Sequence, residues 1–290
     1  MLVVTCYLMG GLGNQLFQIF TTLGFAIRTN RKTVFPYAKQ LTTGKVRNTY
    51  WKTFLKALKP MTTKNEKNGY TNQQLGNFPV IFKEENDLRY TEIPDVQHYN
   101  EMILFGYFQS PKYFDNEKDK IFSMIGIPEM KEKIRQEFPQ YSETEYHTIS
   151  MHFRLGDYKE QQQFHPIMTY EYYEKSLMEL LINYKLHKKV KVLYFCEKED
   201  NETVKKTVGK LSGLFDDFLF IKVDDEIEDW KQMLIMSNCE HNIIANSSFS
   251  WWGAYFNFNE NKMVCYPSIW FGPAAKFNND AMFPADWKKI

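Results

Sequence analysis

The sequence predicts an α/β protein built on parallel sheets, and three observations carry that prediction. From Ile149 to Tyr266, apolar runs of strand length alternate with stretches of helical periodicity. The first thirty residues read as strand, glycine loop and helix. Polar and charged residues gather where the strands run out, at the edge where open α/β sheets take their ligands.

Each element follows from its pattern. Leu2 to Leu8 is a buried strand, Met9 to Gln15 is the loop after it, and Leu16, Phe17, Phe20, Leu23, Gly24 and Ile27 recur at helical spacing. Thr33 to Tyr37 forms a second strand. Residues 38 to 78 are mixed, and the Lys59 to Gly76 stretch reads as a polar surface insertion. Ile103 to Phe108 gives another strand, with helices expected over Pro111 to Met124 and Pro128 to Phe138. Pro139 to Glu145 is short and polar, so the domain boundary is placed there: residues 1–140 and 141–290.

The second half is more regular. Ile149, Met151 and Phe153 alternate with polar neighbours on a strand, and Thr169 is placed to cap a helix whose face carries Tyr173, Leu177, Leu180, Leu181 and Tyr184. Strand Val190–Phe195, helix Asn201–Leu214, strand Phe218–Val223, helix Ile227–Met236, strand Asn242–Ala245, helix Ser250–Phe258 and strand Met263–Tyr266 follow. Strands and helices alternating at this spacing specify right-handed crossovers on a parallel sheet, a Rossmann-like domain. The first half is a looser version of the same plan.

Composition narrows the function classes. Net charge is +1, but residues 1–65 hold ten Lys or Arg and no carboxylate, while 26 cations against 35 anions leave the remainder at −9. The ten charges are dispersed and no nucleic-acid motif accompanies them, so no nucleic-acid partner is expected. The four cysteines are far apart, with no C-x-x-C and no histidine at zinc spacing, which fits reduced thiols and no metal. No run reaches the length of a membrane span, and the apolar start lacks the basic flank of a signal peptide; a cytoplasmic protein is expected.

Three stretches hold the candidate chemistry. Gly11, Gly13, Asn14 and Gln15 lie where a strand turns into a helix, and such a loop collects N–H groups suited to an anion or a polar sugar; a ligand-free turn is the bland alternative. It is not a dinucleotide fingerprint, because Leu16 occupies the third glycine position and no acidic residue precedes Glu66. His152, Arg154, Gly156 and Asp157 sit beyond a strand, where Arg154 either grips an anion or simply pairs with Asp157. Asn246, Ser247, Ser248, Phe249 and Ser250 lie where a strand runs into a helix, which favours a phosphate over a mere capping cluster.

Together these stretches resemble the signature blocks of the α-1,2-fucosyltransferases of glycosyltransferase family 11: Gly10 to Gln18, His152-x-Arg154-x-Gly156-Asp157-Tyr158, and Ala245 to Trp252. His165 with Tyr172-Tyr173, and Pro267 with Trp270-Phe271, match as well. The resemblance implies a GT-B architecture, two Rossmann-like domains facing across a cleft, with a nucleotide-sugar donor, GDP-fucose, held by the second domain and an oligosaccharide acceptor on the side of the first. It implies an inverting enzyme without metal, Arg154 on the donor phosphates, and the Ser247 to Ser250 block completing that grip. Two positions depart from the family pattern: Leu155 stands where a second Arg is usual, and Cys196-Glu197 replaces Ser-Asp.

Glycosyl transfer leaves negative charge on the departing diphosphate, so Arg154, Ser248, Ser250 and the Phe249 N–H are assigned to it. Asp157 and His152 are the candidates for taking the acceptor proton. Asp229 either reads the base or caps its helix. Leu155 keeps open another GDP- or UDP-linked deoxysugar, and a non-catalytic sugar- or nucleotide-binding protein is the rival of a different class.

Overall fold

The computed structural model describes residues 2–94, 96–184 and 189–290, and the chain divides into two compact units. One comprises Met1–Pro128 with Phe277–Pro284, the other Glu129–Lys276 with Ala285–Ile290. The division falls at Pro128, not in the polar stretch at residue 140, and the chain returns near its end to complete the first unit. Neither feature is visible in local composition. The helix spanning Ile127–Glu137 hides the first, and a return crossing leaves no pattern in the sequence.

In the first unit, β1 (Val3–Cys6) leads into α1 (Leu12–Thr29) and then β2 (Lys32–Thr33). A small antiparallel pair, β3 (Gln40–Leu41) with β4 (Arg47–Asn48), precedes α2 (Asn72–Gly76), β5 (Val80–Lys83), β6 (Glu101–Phe105), α3 (Lys118–Ile125) and the start of α4 (Ile127–Glu137). The main sheet is parallel, in the order β2-β1-β6-β5. The β1 burial is complete, and α1 packs Leu16, Phe17, Phe20 and Leu23 against the core, as the helical spacing predicts.

Four local expectations are corrected. β5 was not foreseen, because Val80-Ile81-Phe82 is short and sits in a polar context. The strand expected from Thr33 to Tyr37 shrinks to Lys32–Thr33 with one bridge from Phe35 to Thr62. The helix expected from Pro111 begins as two 3-10 turns and becomes α-helical only at Lys118. The Lys59 to Gly76 stretch is structured: Thr71 and Gln74 form a reciprocal capping box at the start of α2, and Leu58, Thr62 and Leu75 are buried.

The second unit holds β7 (Tyr146–His152), α5 (Tyr170–Asn183), β8 (Lys189–Phe195), α6 (Asn201–Leu214), β9 (Phe218–Lys222), α7 (Asp229–Asn238), β10 (His241–Ile243), α8 (Ser248–Tyr255), β11 (Val264–Tyr266) and β12 (Lys288–Lys289). All six strands are parallel, in the order β12-β11-β10-β7-β8-β9. Its core joins Ile149 and Met151 of β7 to Tyr173, Leu177 and Leu180 of α5, and to Val204, Val208 and Leu211 of α6.

Strand order sets where ligands go. In the second sheet the chain runs from β7 outward through β8 and β9, then returns to the other side of β7 as β10. The order therefore reverses between β7 and β10, and the loops beyond their carboxyl ends diverge to leave a crevice. In the first sheet β1 and β6 are the neighbouring central strands, so the loops beyond their carboxyl ends lie side by side.

Candidate active site

Arg154 lies two residues beyond β7, and the Asn246 to Ser250 block follows β10, so the two stretches flank the reversal point of one sheet. Arg154 is half-buried. Its guanidinium pairs with both Glu197, beyond β8, and Asp157, and it lies over the Tyr158 ring at 4.9 Å from the centroid. The two sequence readings of Arg154 thus coexist: carboxylates on two sides hold the fork flat and desolvated on one face. An Arg held in this way loses little rotamer entropy when an anion arrives.

The turn that presents Arg154 depends on glycine. Gly156 has φ +40°, and a Cβ there would come within 2.7 Å of a Glu197 carboxylate oxygen. Its N–H donates to Asp200 Oδ2 at 2.8 Å, and Lys159 pairs with the other Asp200 oxygen at 2.5 Å. Asp200 is buried and anchors the whole loop, yet sequence reading passed over it; an acidic residue just ahead of α6 reads as an ordinary helix start. Tyr158 stacks on His165 at 4.7 Å and donates its hydroxyl proton to the Asn246 carbonyl at 3.1 Å, tying the β7 loop to the β10 loop.

Within the β10 block the residues divide by task. Asn246 is buried and donates from Nδ2 to the carbonyls of Pro166 (2.8 Å) and Trp270 (3.1 Å), while its Oδ1 has no partner. Ser247 caps α8, accepting from the Phe249 N–H at 3.3 Å, so the N–H assigned to the donor is already engaged. Ser250 is buried and donates to the Ser247 carbonyl at 3.3 Å. Ser248 alone of the three serines in the helix's first turn and cap keeps a half-exposed hydroxyl with no hydrogen bond among the described residues. Asn246, Ser247 and Ser250 therefore shape the turn, and Ser248 with the first-turn N–H groups faces outward.

His152 ends β7 in the core. Its Nδ1 is buried without a partner, and desolvation, then the Arg154 charge, push its pKa down to about 3. It is neutral at any ordinary pH, which makes it a weak base for the role considered above. Asp157 is committed to Arg154. Asp229 is the first residue of α7 at the carboxyl side of β9 and accepts the Trp230 N–H at 2.7 Å; Glu228 holds the cap position and no side chain caps the helix.

In the first unit the loops beyond β1 and β6 meet. Asn14 Oδ1 accepts from Gln109 Nε2 at 2.9 Å, joining the loops that follow the two central strands of that sheet. Gln15 is buried and donates to the carbonyls of Gly10 (3.0 Å) and Asn48 (2.9 Å), so it shapes the loop. Gly10, at φ +76°, is the glycine whose conformation matters: a Cβ would meet Asn14 Nδ2 at 2.6 Å. Gly11 caps α1, and Gly13 is buried in its first turn. Glu84, beyond β5, accepts the N–H groups of Tyr107 (2.6 Å) and Phe108 (2.9 Å), which pins the Gly106 to Gln109 turn and the positive φ of Phe108. Burial raises the Glu84 pKa against those two bonds. Neither Glu84 nor Gln109 stood out in the sequence, because only strand pairing brings Glu84 to the Phe108 turn and Gln109 to Asn14.

Among the described residues one group has metal-like composition: His147, Glu240 and His241, with ligand atoms within 4.8 Å of one another. It sits at the amino ends of β7 and β10, the length of a strand from Arg154. His241 Nδ1 accepts the Met263 N–H at 3.0 Å, so its proton resides on Nε2 and no lone pair faces a cation. His147 bonds Glu240 directly. His147 and Glu240 are thus bonded to each other and His241 to the backbone, and the trio lies at the opposite edge of the sheet from Arg154.

The profile of glycosyl transferase family 11 matches residues 2–290. The chain belongs to that family. An Escherichia coli alpha-1,2-colitosyltransferase is 30% identical over 198 residues, covering 64% of this chain and 62% of that protein. A second E. coli relative at the same identity is matched over 56% of its length, so the chain spans about three fifths of these relatives. A Caenorhabditis elegans galactoside 2-alpha-L-fucosyltransferase is 22% identical over 97% of this chain and 77% of its own. Among solved structures, a mutant of Arabidopsis thaliana FUT1 in complex with GDP superposes with a TM-score of 0.53 at 11% identity, covering 97% of this chain and 75% of that one. That likeness shows the fold, the GT-B plan of two Rossmann-like units, for this family member.

Proposed function

We propose that this family 11 protein is an inverting glycosyltransferase that moves L-fucose from GDP-fucose to a galactose-type hydroxyl of an oligosaccharide, in α-1,2 linkage and without metal. The observation that carries the reading is Arg154 and the outward-facing start of α8 on the two sides of one sheet's reversal point. A diphosphate seated there takes charge-assisted bonds from the guanidinium and first-turn N–H groups on Ser248's side. As the bond between the anomeric carbon and the phosphate oxygen breaks, its electron pair leaves with GDP, and these donors are already aimed at the growing charge. The acceptor oxygen attacks the opposite face of the sugar, and its proton passes to a base or to water. Because His152 is held neutral in the core and Asp157 is tied to Arg154, leaving-group stabilisation carries more of the work than proton abstraction. On the acceptor side, Asn14 and Gln109 offer the sugar-facing amides.

A second reading shares the site: a different GDP-linked deoxysugar, favoured by the colitosyltransferase relative and by Leu155 where the family usually has a second Arg. Titration calorimetry with GDP, UDP, GDP-fucose and a second GDP-deoxysugar, in metal-free buffer, separates the two. Loss of one charge-assisted phosphate contact, worth about 1.5–3 kcal/mol, predicts GDP affinity weakened by about ten- to a hundredfold in Arg154→Ala. Preference for UDP, or GDP affinity indifferent to Arg154, overturns the donor assignment.

A further inference from the structure

The first unit carries a hollow to which the reading above assigns no role. A cavity of about 460 Å³ is lined by Trp51, Lys52, Lys56, Lys59, Pro60, Lys64 and Asn65. Four of its seven lining residues are lysines, and none is a carboxylate. They are four of the ten cations in the acid-free first 65 residues, so no carboxylate earlier in the chain neutralises them. None of the four forms an ion pair among the described residues, although exposed lysines elsewhere in this protein do pair, as Lys118 does with Asp115 and Lys198 with Glu226.

The wall is built, not frayed. Lys59 and Pro60 belong to a 3-10 helix over Lys56–Met61, and Asn65 closes the turn by donating to the Pro60 carbonyl at 2.9 Å. Trp51 is 1% exposed and packs its ring on Phe35 at 5.6 Å. Its indole Nε1 is nevertheless buried with no hydrogen-bond partner, a cost that a folded chain seldom leaves uncompensated. Four like charges around one hollow, with no carboxylate in its lining, are the complement of an anion. Lysines, in contrast to the planar arginine fork, act as point charges and suit phosphate oxygens approached from several directions. The size falls within the range of small-molecule sites, and the Trp and Pro surfaces with the lysine stems give an apolar wall to a sugar or comparable ring.

The chain leading into this cavity is fixed to the acceptor-side loop. The Asn48 carbonyl, three residues before Trp51, accepts from Gln15 of α1, whose amide also holds Gly10. We infer that the pocket binds a phosphate-class anionic group borne by the saccharide acceptor, next to the loop that carries Asn14. This rests on the glycosyltransfer reading for the word acceptor, and on the pocket alone for the anion.

The test separates those two parts. Calorimetry with inorganic pyrophosphate, lactose 1-phosphate, lactose and GDP is run on the full chain and on three variants, Lys52→Gln/Lys56→Gln/Lys59→Gln/Lys64→Gln, Trp51→Phe and Arg154→Ala, the other ligands being titrated with the donor site filled by GDP. The lysines are mostly exposed and their replacement leaves the core intact. Pyrophosphate and lactose 1-phosphate are expected to bind with salt-sensitive affinity that falls at least tenfold in the quadruple variant and severalfold in Trp51→Phe, while GDP affinity is unchanged there and falls only in Arg154→Ala. In transfer assays the quadruple variant raises KM for the phosphorylated disaccharide with kcat intact, and leaves lactose kinetics alone. Pyrophosphate binding indifferent to all four lysines, or binding of GDP lost with them, overturns the pocket. Lysine-dependent binding of pyrophosphate without any transfer of fucose to either disaccharide upholds the anion pocket and counts against the fucose-to-galactoside reading instead.

Discussion

Lys131 offers the sharpest physical test. It sits on α4, is 3% exposed, and directs its Nζ to the carbonyls of Ser237 (2.7 Å) and Phe256 (2.5 Å), at the carboxyl ends of α7 and α8. No carboxylate pairs with it among the described residues. Burial, with the Arg135 and Lys262 charges, drives its pKa down from 10.5 to about 6. A neutral amine still has two N–H bonds, enough for both carbonyls, so deprotonation costs the fold nothing while a buried ammonium costs desolvation. Between about pH 6 and 10.5 the unfolded chain therefore binds a proton that the folded chain does not. Stability rises with pH across that window, by about 1.4 kcal/mol per unit, and the gain is lost as pH falls toward 6. From pH 7 to 9 this one group adds about 3 kcal/mol. Urea unfolding of the native protein and of Lys131→Met, at both pH values, isolates it: the native protein gains on the variant by that amount. If the difference between the two proteins is the same at pH 7 and 9, the amine is charged when folded and the reasoning is refuted. The stakes reach the site, because α8 carries the Ser247 to Ser250 block at its other end.

Three further outcomes follow from the same geometry. Gly156→Ala places a non-glycine residue at φ +40° and pushes on Glu197; the left-handed conformation costs roughly 1–2 kcal/mol, seen as a lowered urea midpoint, and weaker GDP binding follows as Arg154 loses its brace. Unchanged GDP affinity would show that Glu197 does not position the guanidinium. With His152 held at about 3, kcat has no limb near pH 6–7 from this residue, and a pH–rate profile in which such a limb vanishes in His152→Gln would contradict the burial argument. Chelation by EDTA is expected to leave GDP binding unaltered in calorimetry; restoration by a divalent ion of affinity lost to EDTA would rule out metal-independent donor binding.

Much of the second unit was legible because its signals are local. Parallel strands buried on both faces read as apolar runs, helices between them read at period 3.6, and the observed ends of β7, β8, α6 and β9 lie within a residue or two of those expected. Arg154 and the Asn246 to Ser250 block stood out for a related reason, as charged and hydroxyl residues directly after apolar strands, although three of that block turn out to shape the turn itself. The first unit was harder. β5 and β2 are short, the 38 to 100 region makes its structure from 3-10 turns and side-chain caps, and these rest on few residues each.

By itself, then, the sequence determined the α/β class, the strand ends proposed to carry chemistry, and the uneven placement of charge. Tertiary structure alone decided which of those side chains are spent on the protein itself. Asn246, Ser247, Ser250 and Gln15 are polar and well placed in the chain, yet their side chains are spent on backbone groups, because a buried donor without an acceptor costs more than the contact it forgoes elsewhere. Only folding could assign the partners: Glu197 and Asp157 to Arg154, Asp200 to Gly156, Gln109 to Asn14, Glu84 to the Phe108 turn. Each of those contacts except Asp157 joins residues at least 24 positions apart, and a hydrogen bond across such a separation exists only once strand order has brought its two loops together.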